Sequence, residues 1–258
     1  MNRLHVVVLL VALAVCGGCH KSVTESGPLI GITSVYRPAE PNTAARTQVN
    51  FAYVRAVVDN GGVPVVLPSV DCETAIQRYV DELDGLVLVG GADIPPSAYG
   101  ETPHETVEVL TSERYEFERK LIASWLASDK PILGVCLGMQ FTNVVSGGSL
   151  IQDIPSEVGP EVHHRGRYHH VRIAPDSSLA DLLGASEARV LSYHHQAVDD
   201  IGTGLKVIAW SDDDVNEALE RVDGGFGLFV QWHPESGDDR AQRDAIYGAL
   251  VRAAAKAN

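Results

Sequence analysis

Pro131-Ile132-Leu133-Gly134-Val135-Cys136-Leu137-Gly138-Met139-Gln140 reads as a short buried strand running into a cysteine at the mouth of a helix. Ile132, Leu133 and Val135 form an apolar run suited to a strand covered on both faces. Leu137 to Ser146 then supplies helix-compatible residues up to Gly147-Gly148. Cys136 therefore sits at the turn. Gly134 and Gly138 flank it two residues to either side and leave room for a tight elbow that lifts a side chain above a sheet, the G-x-S-x-G logic with sulfur in place of oxygen.

Outward from the elbow, strand and helix signals alternate. Leu29 to Ser34 predicts a strand, Gln48 to Asn60 a helix, Val63 to Leu67 a strand, Glu73 to Leu83 a helix, Leu86 to Val89 a strand and Ser112 to Ala127 a helix. That order implies a mainly parallel sheet with helices on both faces and ligands at the carboxyl ends of its strands, where Gly90 and Cys136 both fall. From Tyr168 to Trp232 strands follow with few helices between them, which implies a mixed or antiparallel extension before a last helix from Asp239 to Lys256. The Pro- and Gly-rich loop from Ala92 to Thr111 borders the expected site.

Almost a hundred residues after the elbow stands Phe226-Gly-Leu-Phe-Val-Gln-Trp232-His233-Pro234-Glu235. Proline biases His233 to an extended conformation, in which residues two apart point to one side, so Glu235 reaches the His233 ring. A thiol needs a base to become a thiolate, and the base needs a third group to orient it; Cys136, His233 and Glu235 make that triad in outline. A helix N-terminus and a neighbouring imidazolium both favour the thiolate.

The G-V-C-L-G-M-Q elbow with the late W-H-P-E resembles the class I glutamine amidotransferase superfamily. Two further segments agree with it, Leu86-Val-Leu-Val-Gly90-Gly91-Ala-Asp93 and Ser192-Tyr-His194-His195-Gln196, and together with Tyr168 to Gly184 these resemble its γ-glutamyl-γ-aminobutyrate hydrolase-like branch. The likeness runs from about Leu29 to the end. It implies a flavodoxin-like α/β fold and a single hydrolase domain over residues 29–258. It also implies cleavage of γ-glutamyl amides through a cysteinyl thioester, without a cofactor. Backbone N–H groups near Gly90 and Gly91 and at Leu137 would hold the oxyanion, and Gln140, His195 and Gln196 would contact the substrate. Two positions depart from the branch, Leu137 where it often has arginine and Tyr115 where it often has aspartate, which leaves the released amine open. A γ-glutamyl peptide or folyl-polyglutamate hydrolase is an alternative, as is a catalytically silent γ-glutamyl-binding lipoprotein.

Simpler readings compete at several positions. Cys72 lacks a motif and reads as a small buried hydrophobe. Gly90-Gly91 alone would be a turn, and His194-His195 alone a strand end. Arg114 and Glu118 read as a surface i,i+4 pair, with Glu118 as a pocket carboxylate the alternative. Ser211 to Asp214 reads as a solvated hairpin tip. His163, His164, His169 and His170 invite a metal, but no cysteine or nearby carboxylate completes a ligand set and the resembling family needs none, so no metal is expected.

The amino terminus concerns location. Arg3, an apolar run from Val6 to Val15 and Gly17-Gly18-Cys19 read as a signal peptide over 1–18 whose end resembles a bacterial lipobox. Lipidation of Cys19 and a tether over 19–28 would anchor an exported domain in the cell envelope; cleavage without lipid would give a periplasmic or secreted form. The net charge of −14 argues against nucleic acid as a partner. The expected partner is a small-molecule γ-glutamyl amide. No feature names a protein partner.

Overall fold

The computed structural model describes residues 27–256. The signal peptide, Cys19 and most of the 19–28 tether lie outside them. The elements are β1 (Leu29–Ile32), β2 (Val35–Arg37), β3 (Arg46–Gln48), α1 (Phe51–Asp59), β4 (Val63–Val66), α2 (Glu73–Glu82) and β5 (Gly85–Leu88). There follow α3 (Ser112–Ala127), β6 (Ile132–Val135), α4 (Leu137–Val145), β7 (Leu150–Ile151), α5 (Ile154–Glu157), β8 (Arg165–Ile173) and α6 (Ser178–Leu183). The chain ends with β9 (Glu187–Tyr193), β10 (Ala197–Val198), β11 (Leu205–Ser211), β12 (Asn216–Arg221), β13 (Gly227–Val230) and α7 (Arg240–Ala254).

The main sheet runs β4-β1-β5-β6-β13-β12-β11-β8-β9. Its first five strands are parallel, and in order of appearance they read 2-1-3-4-5, the flavodoxin-like doubly wound order. From β13 onward every pairing along the path is antiparallel. The expected architecture, a mainly parallel sheet with an antiparallel extension, is what forms. β5, β6 and β13 are buried on both faces, yet their side chains still alternate. Val87, Leu133, Val135, Leu228 and Val230 pack with Ile246 and Leu250 of α7 and Ala56 and Val57 of α1. Leu86, Leu88, Ile132 and Phe229 face Phe117 and Leu121 of α3 and Ile76 of α2. These two apolar layers clamp the sheet, and burial on both sides explains its near-continuous Val/Ile/Leu runs.

Element boundaries differ from expectation chiefly before α1. Arg46–Gln48 pairs with Val35–Arg37 as a small ribbon, and the helix waits for Asn50, whose side chain accepts the Ala52 N–H at 3.0 Å. Cys72 is exposed, contrary to its reading as a core residue. It precedes α2 as the N-cap residue, where the side chain points to solvent, and its Sγ lies 3.2 Å from Thr74 Oγ1. Among the described residues no helix is long and apolar enough to cross a membrane.

Candidate active site

The carboxyl ends of β5, β6 and β13 meet at one rim. Cys136 takes φ 54° and ψ −109° as it joins β6 to α4, a conformation costing a side-chain-bearing residue about 1–3 kcal/mol. The surroundings hold it there. Its N–H donates to Val230 O at 2.8 Å, and Met139 N–H bonds back to Cys136 O at 3.0 Å. The flanking glycines are required by close approach: a Cβ on Gly134 would lie 2.8 Å from the Gly138 carbonyl, and one on Gly138 would lie 2.6 Å from Leu88 O. Cys136 is thereby left at the N-terminus of α4, buried but facing the rim.

His233 follows β13 by three residues, and its N–H donates to Leu191 O at 2.9 Å, which ties this segment to β9. Nδ1 lies 2.7 Å from Glu235 Oε1, so the carboxylate fixes the ring and leaves Nε2 for the nucleophile. His233 and Cys136 stand side by side over Gly90: a methyl there would lie 3.0 Å from His233 Cε1 and 3.6 Å from Cys136 Cβ. Burial by itself would lower the pKa of His233, but the negative charges of Cys136 and Glu235 outweigh it and hold the imidazolium up to about 10. Tyr193 lies edge-on to the His233 ring, with centroids 5.5 Å apart.

One residue not anticipated from the sequence, and two expected at the surface, support this arrangement. Tyr53, on the inward face of α1, places its hydroxyl 3.4 Å from His233 Nδ1 and accepts the Gly90 N–H at 3.0 Å. Gly90 N–H is thus committed, contrary to its expected share in the oxyanion site. The N–H groups of Gly91 and Leu137 donate to no protein acceptor among the described residues. Arg114 and Glu118 are not a surface pair. Both are buried, with Arg114 Nε donating to Glu118 Oε1 at 2.8 Å while Nη2 donates to Val89 O and Gly90 O at 3.1 Å each. A Cβ on Gly91 would come 2.1 Å from Arg114 Nη1, so the second glycine is where the guanidinium passes under the loop.

Among the expected substrate contacts, Gln140 and Gln196 have turned inward. Gln140 Nε2 donates to Gln196 O at 3.0 Å and to Gln231 Oε1 at 3.2 Å, and Gln196 Nε2 donates to Gln152 O at 3.1 Å. A buried amide N–H must be satisfied, and here a carbonyl of the β9–β10 connection serves Gln140 and a carbonyl of the β7–α5 connection serves Gln196. His195 is half-buried between two carboxylates, with Nε2 3.2 Å from Asp93 Oδ2 and Nδ1 3.3 Å from Asp153 Oδ1. Its pKa is raised above the ordinary imidazole value, chiefly by Asp93 and to a lesser extent by Asp153. It joins the end of the glycine loop to the N-cap of α5. Beside His233 and Gly90 opens a cavity of about 340 Å³, bounded also by Tyr53, Asn50 and Tyr193.

A second gathering of ionisable groups lies in the antiparallel extension. The nearby carboxylate missing from the sequence around the histidines arrives from β12: Glu217 Oε1 is 3.1 Å from His164 Nδ1, 3.5 Å from His169 Nε2 and 3.6 Å from His194 Nε2. The ground for dismissing a metal there does not hold. Burial opposes ionisation of Glu217, yet the imidazoles around it hold its pKa down to about 2. Asp213, expected in a solvated tip, instead turns inward, 3.1 Å from His164 Nε2.

Comparison with known proteins places this geometry in a family. The Peptidase C26 pattern matches residues 28–235. The protein NtpR of Enterococcus hirae is 40% identical over 219 residues, covering 81% of this chain and 91% of NtpR. The γ-glutamyl-γ-aminobutyrate hydrolase PuuD of Escherichia coli is 28% identical over 223 residues, covering 81% of this chain and 86% of PuuD. In fold, a glutamine amidotransferase from Thermotoga maritima superposes with a TM-score of 0.57 at 19% identity, covering 90% of this chain and 98% of that one. The chain belongs to the Peptidase C26 family and has the class I glutamine amidotransferase-like fold.

Proposed function

We propose that the protein is a cysteine-dependent hydrolase of γ-glutamyl amides, with Cys136, His233 and Glu235 as nucleophile, acid–base and orienting group. The observation that carries the reading is the strained cysteine at the mouth of α4 beside an imidazole that Glu235 Oε1 engages at 2.7 Å. Membership of Peptidase C26 and the likeness to PuuD support C–N bond hydrolysis and a γ-glutamyl substrate.

Each step follows from position. The Cys136 proton passes to His233 Nε2, and the thiolate attacks the γ-carbonyl carbon. The oxyanion forms where the free N–H groups of Gly91 and Leu137 can meet it. Collapse of the tetrahedral species breaks the C–N bond as His233 protonates the departing amine, leaving a thioester. His233 then takes a proton from water, hydroxide attacks the thioester, and glutamate leaves as the proton returns to sulfur. Neither step needs a metal.

Glutamate release should be measured from a panel of γ-glutamyl compounds: γ-aminobutyrate, glutathione, polyglutamate and glutamine derivatives. Cys136→Ala is expected to lower the rate on the accepted member by at least about 10³-fold. Full activity in that variant would remove the nucleophile. Silence across the panel, with Cys136 unreactive to electrophiles, would favour a binding protein. Release only from polyglutamate or peptide substrates would identify the alternative hydrolase. We further propose that the domain is exported and anchored by lipid on Cys19, on the strength of the basic, apolar and Gly-Gly-Cys pattern in residues 1–19.

A further inference from the structure

We propose that His164, His169, His194 and Glu217 form a closed site for one zinc-type divalent cation, separate from the nucleophile. All four residues are buried, at 4%, 9%, 4% and 0% exposure. One ligand-capable atom from each lies within 4.8 Å of all the others. Glu217 Oε1 stands 3.1–3.6 Å from the three imidazole nitrogens. A tetrahedron with metal–nitrogen bonds near 2.0–2.1 Å has edges of roughly 3.3 Å, which the carboxylate–imidazole distances already match, while the widest pair, within 4.8 Å, would draw together by up to about 1.5 Å.

The outward sides of the rings show which atoms are free. His194 Nδ1 faces only the Gln196 carbonyl, at 2.9 Å, and must be its N–H. His169 Nδ1 faces the His170 carbonyl at 3.2 Å. His164 Nε2 lies 3.1 Å from Asp213 Oδ2. Each ring thus donates its distal N–H to a carbonyl or carboxylate and turns its other nitrogen inward, the arrangement that orients histidines on a metal.

The inward atoms are short of partners. His164 Nδ1, His194 Nε2 and both Glu217 oxygens are buried without a hydrogen bond; His169 Nε2 is met by Ser192 Oγ at 2.7 Å. A buried carboxylate facing three imidazole nitrogens requires positive charge at their centre. Protons can supply it, and so can a cation that replaces them. Three imidazoles and one carboxylate are a borderline donor set that suits zinc better than magnesium or calcium.

The route in and the consequence are both visible. His164 and His194 line a cavity of about 230 Å³ that also reaches Thr106, Asp153 and Val162. The four ligands come from the approach to β8, from β8 itself, from the end of β9 and from β12, so a cation would staple three strands. It would also stiffen the active rim, because Gln196 O, which receives the His194 ring, receives Gln140 of the nucleophile helix as well.

The test uses the untagged full chain, stripped with chelator and dialysed against zinc chloride. One zinc per chain by elemental analysis, a zinc-dependent rise in Tm, and the visible bands of four-coordinate cobalt on substitution are expected. Glu217→Gln and His169→Gln should each weaken binding at least about 100-fold, and Asp213→Asn about 10–100-fold. His163→Gln, outside the cluster, and Cys136→Ala should each retain the full zinc content. Should Glu217→Gln fail to fold, His164→Asn provides the same reading. No zinc above trace at saturating concentration, or equal zinc in all ligand variants, would overturn the site and leave a proton-filled cluster. Zinc lost only with Cys136→Ala would move it to the nucleophile. Zinc content and Tm are independent of whether any γ-glutamyl amide is cleaved.

Discussion

Cys136 and His233 show how much chemistry hangs on single backbone and side-chain positions. The cysteine occupies a positive-φ conformation because the strand-to-helix reversal leaves no other, and the carbonyl of Val230 with the first turn of α4 locks it there. His233 has its pKa raised to about 10, against an ordinary value near 6.5. A raised folded-state pKa contributes stability that is complete below about pH 6.5 and is lost as pH rises through about 10. Loss of the imidazolium also removes the acid that protonates the departing amine, so activity should fall on that same upper limb. Glu235→Gln, which removes one of the charges sustaining it, is expected to move the upper limb of the kcat/KM profile to lower pH by about one unit or more. A limb that stayed in place would show that Glu235 does not set the ionisation of His233.

Elements explain why the loop after β5 keeps its shape. α3 delivers Arg114 beneath Val89 and Gly90, and Glu118, one turn later on the same helix, neutralises it in the dry interior. Burial raises the Glu118 pKa while Arg114 opposes the rise. Arg114→Met would orphan that carboxylate and free two loop carbonyls at once. A loss of about 3–5 kcal/mol in urea unfolding is expected, largely recovered in the Arg114→Met/Glu118→Leu double variant. An equally unstable double variant would mean that the loop contacts, rather than the buried charge, carry the energy. The i,i+4 spacing was plain in the sequence, but its burial was not, because spacing says which residues share a helix face and nothing about what covers that face.

At the scale of the whole molecule, a parallel half and an antiparallel half share β13, which lies between β6 on one side and β12 on the other. The parallel half carries Gly90 and Cys136, β13 leads to His233, and the antiparallel half holds the histidine–carboxylate cluster. A net charge of −14 makes attraction to an anionic bilayer unfavourable, so envelope retention would depend on the amino-terminal lipid alone. Cys19→Ala should shift the protein from the detergent phase to the aqueous phase in cell fractionation. Unchanged partition would remove lipidation as the anchor.

By itself the sequence determined the α/β class, the elbow at Cys136 and the pairing of His233 with Glu235. Each of these rests on periodicity or on neighbours within a few residues, where chain geometry leaves few choices. Only the tertiary structure decided which groups from distant segments meet. Tyr53 reaches Gly90 across 37 positions, Gln140 reaches Gln196 across 56, and Glu217 enters a ring of histidines contributed before β8, within it and after β9. Such encounters are set by sheet order and by the satisfaction of buried polar atoms, and neither leaves a local trace in the chain.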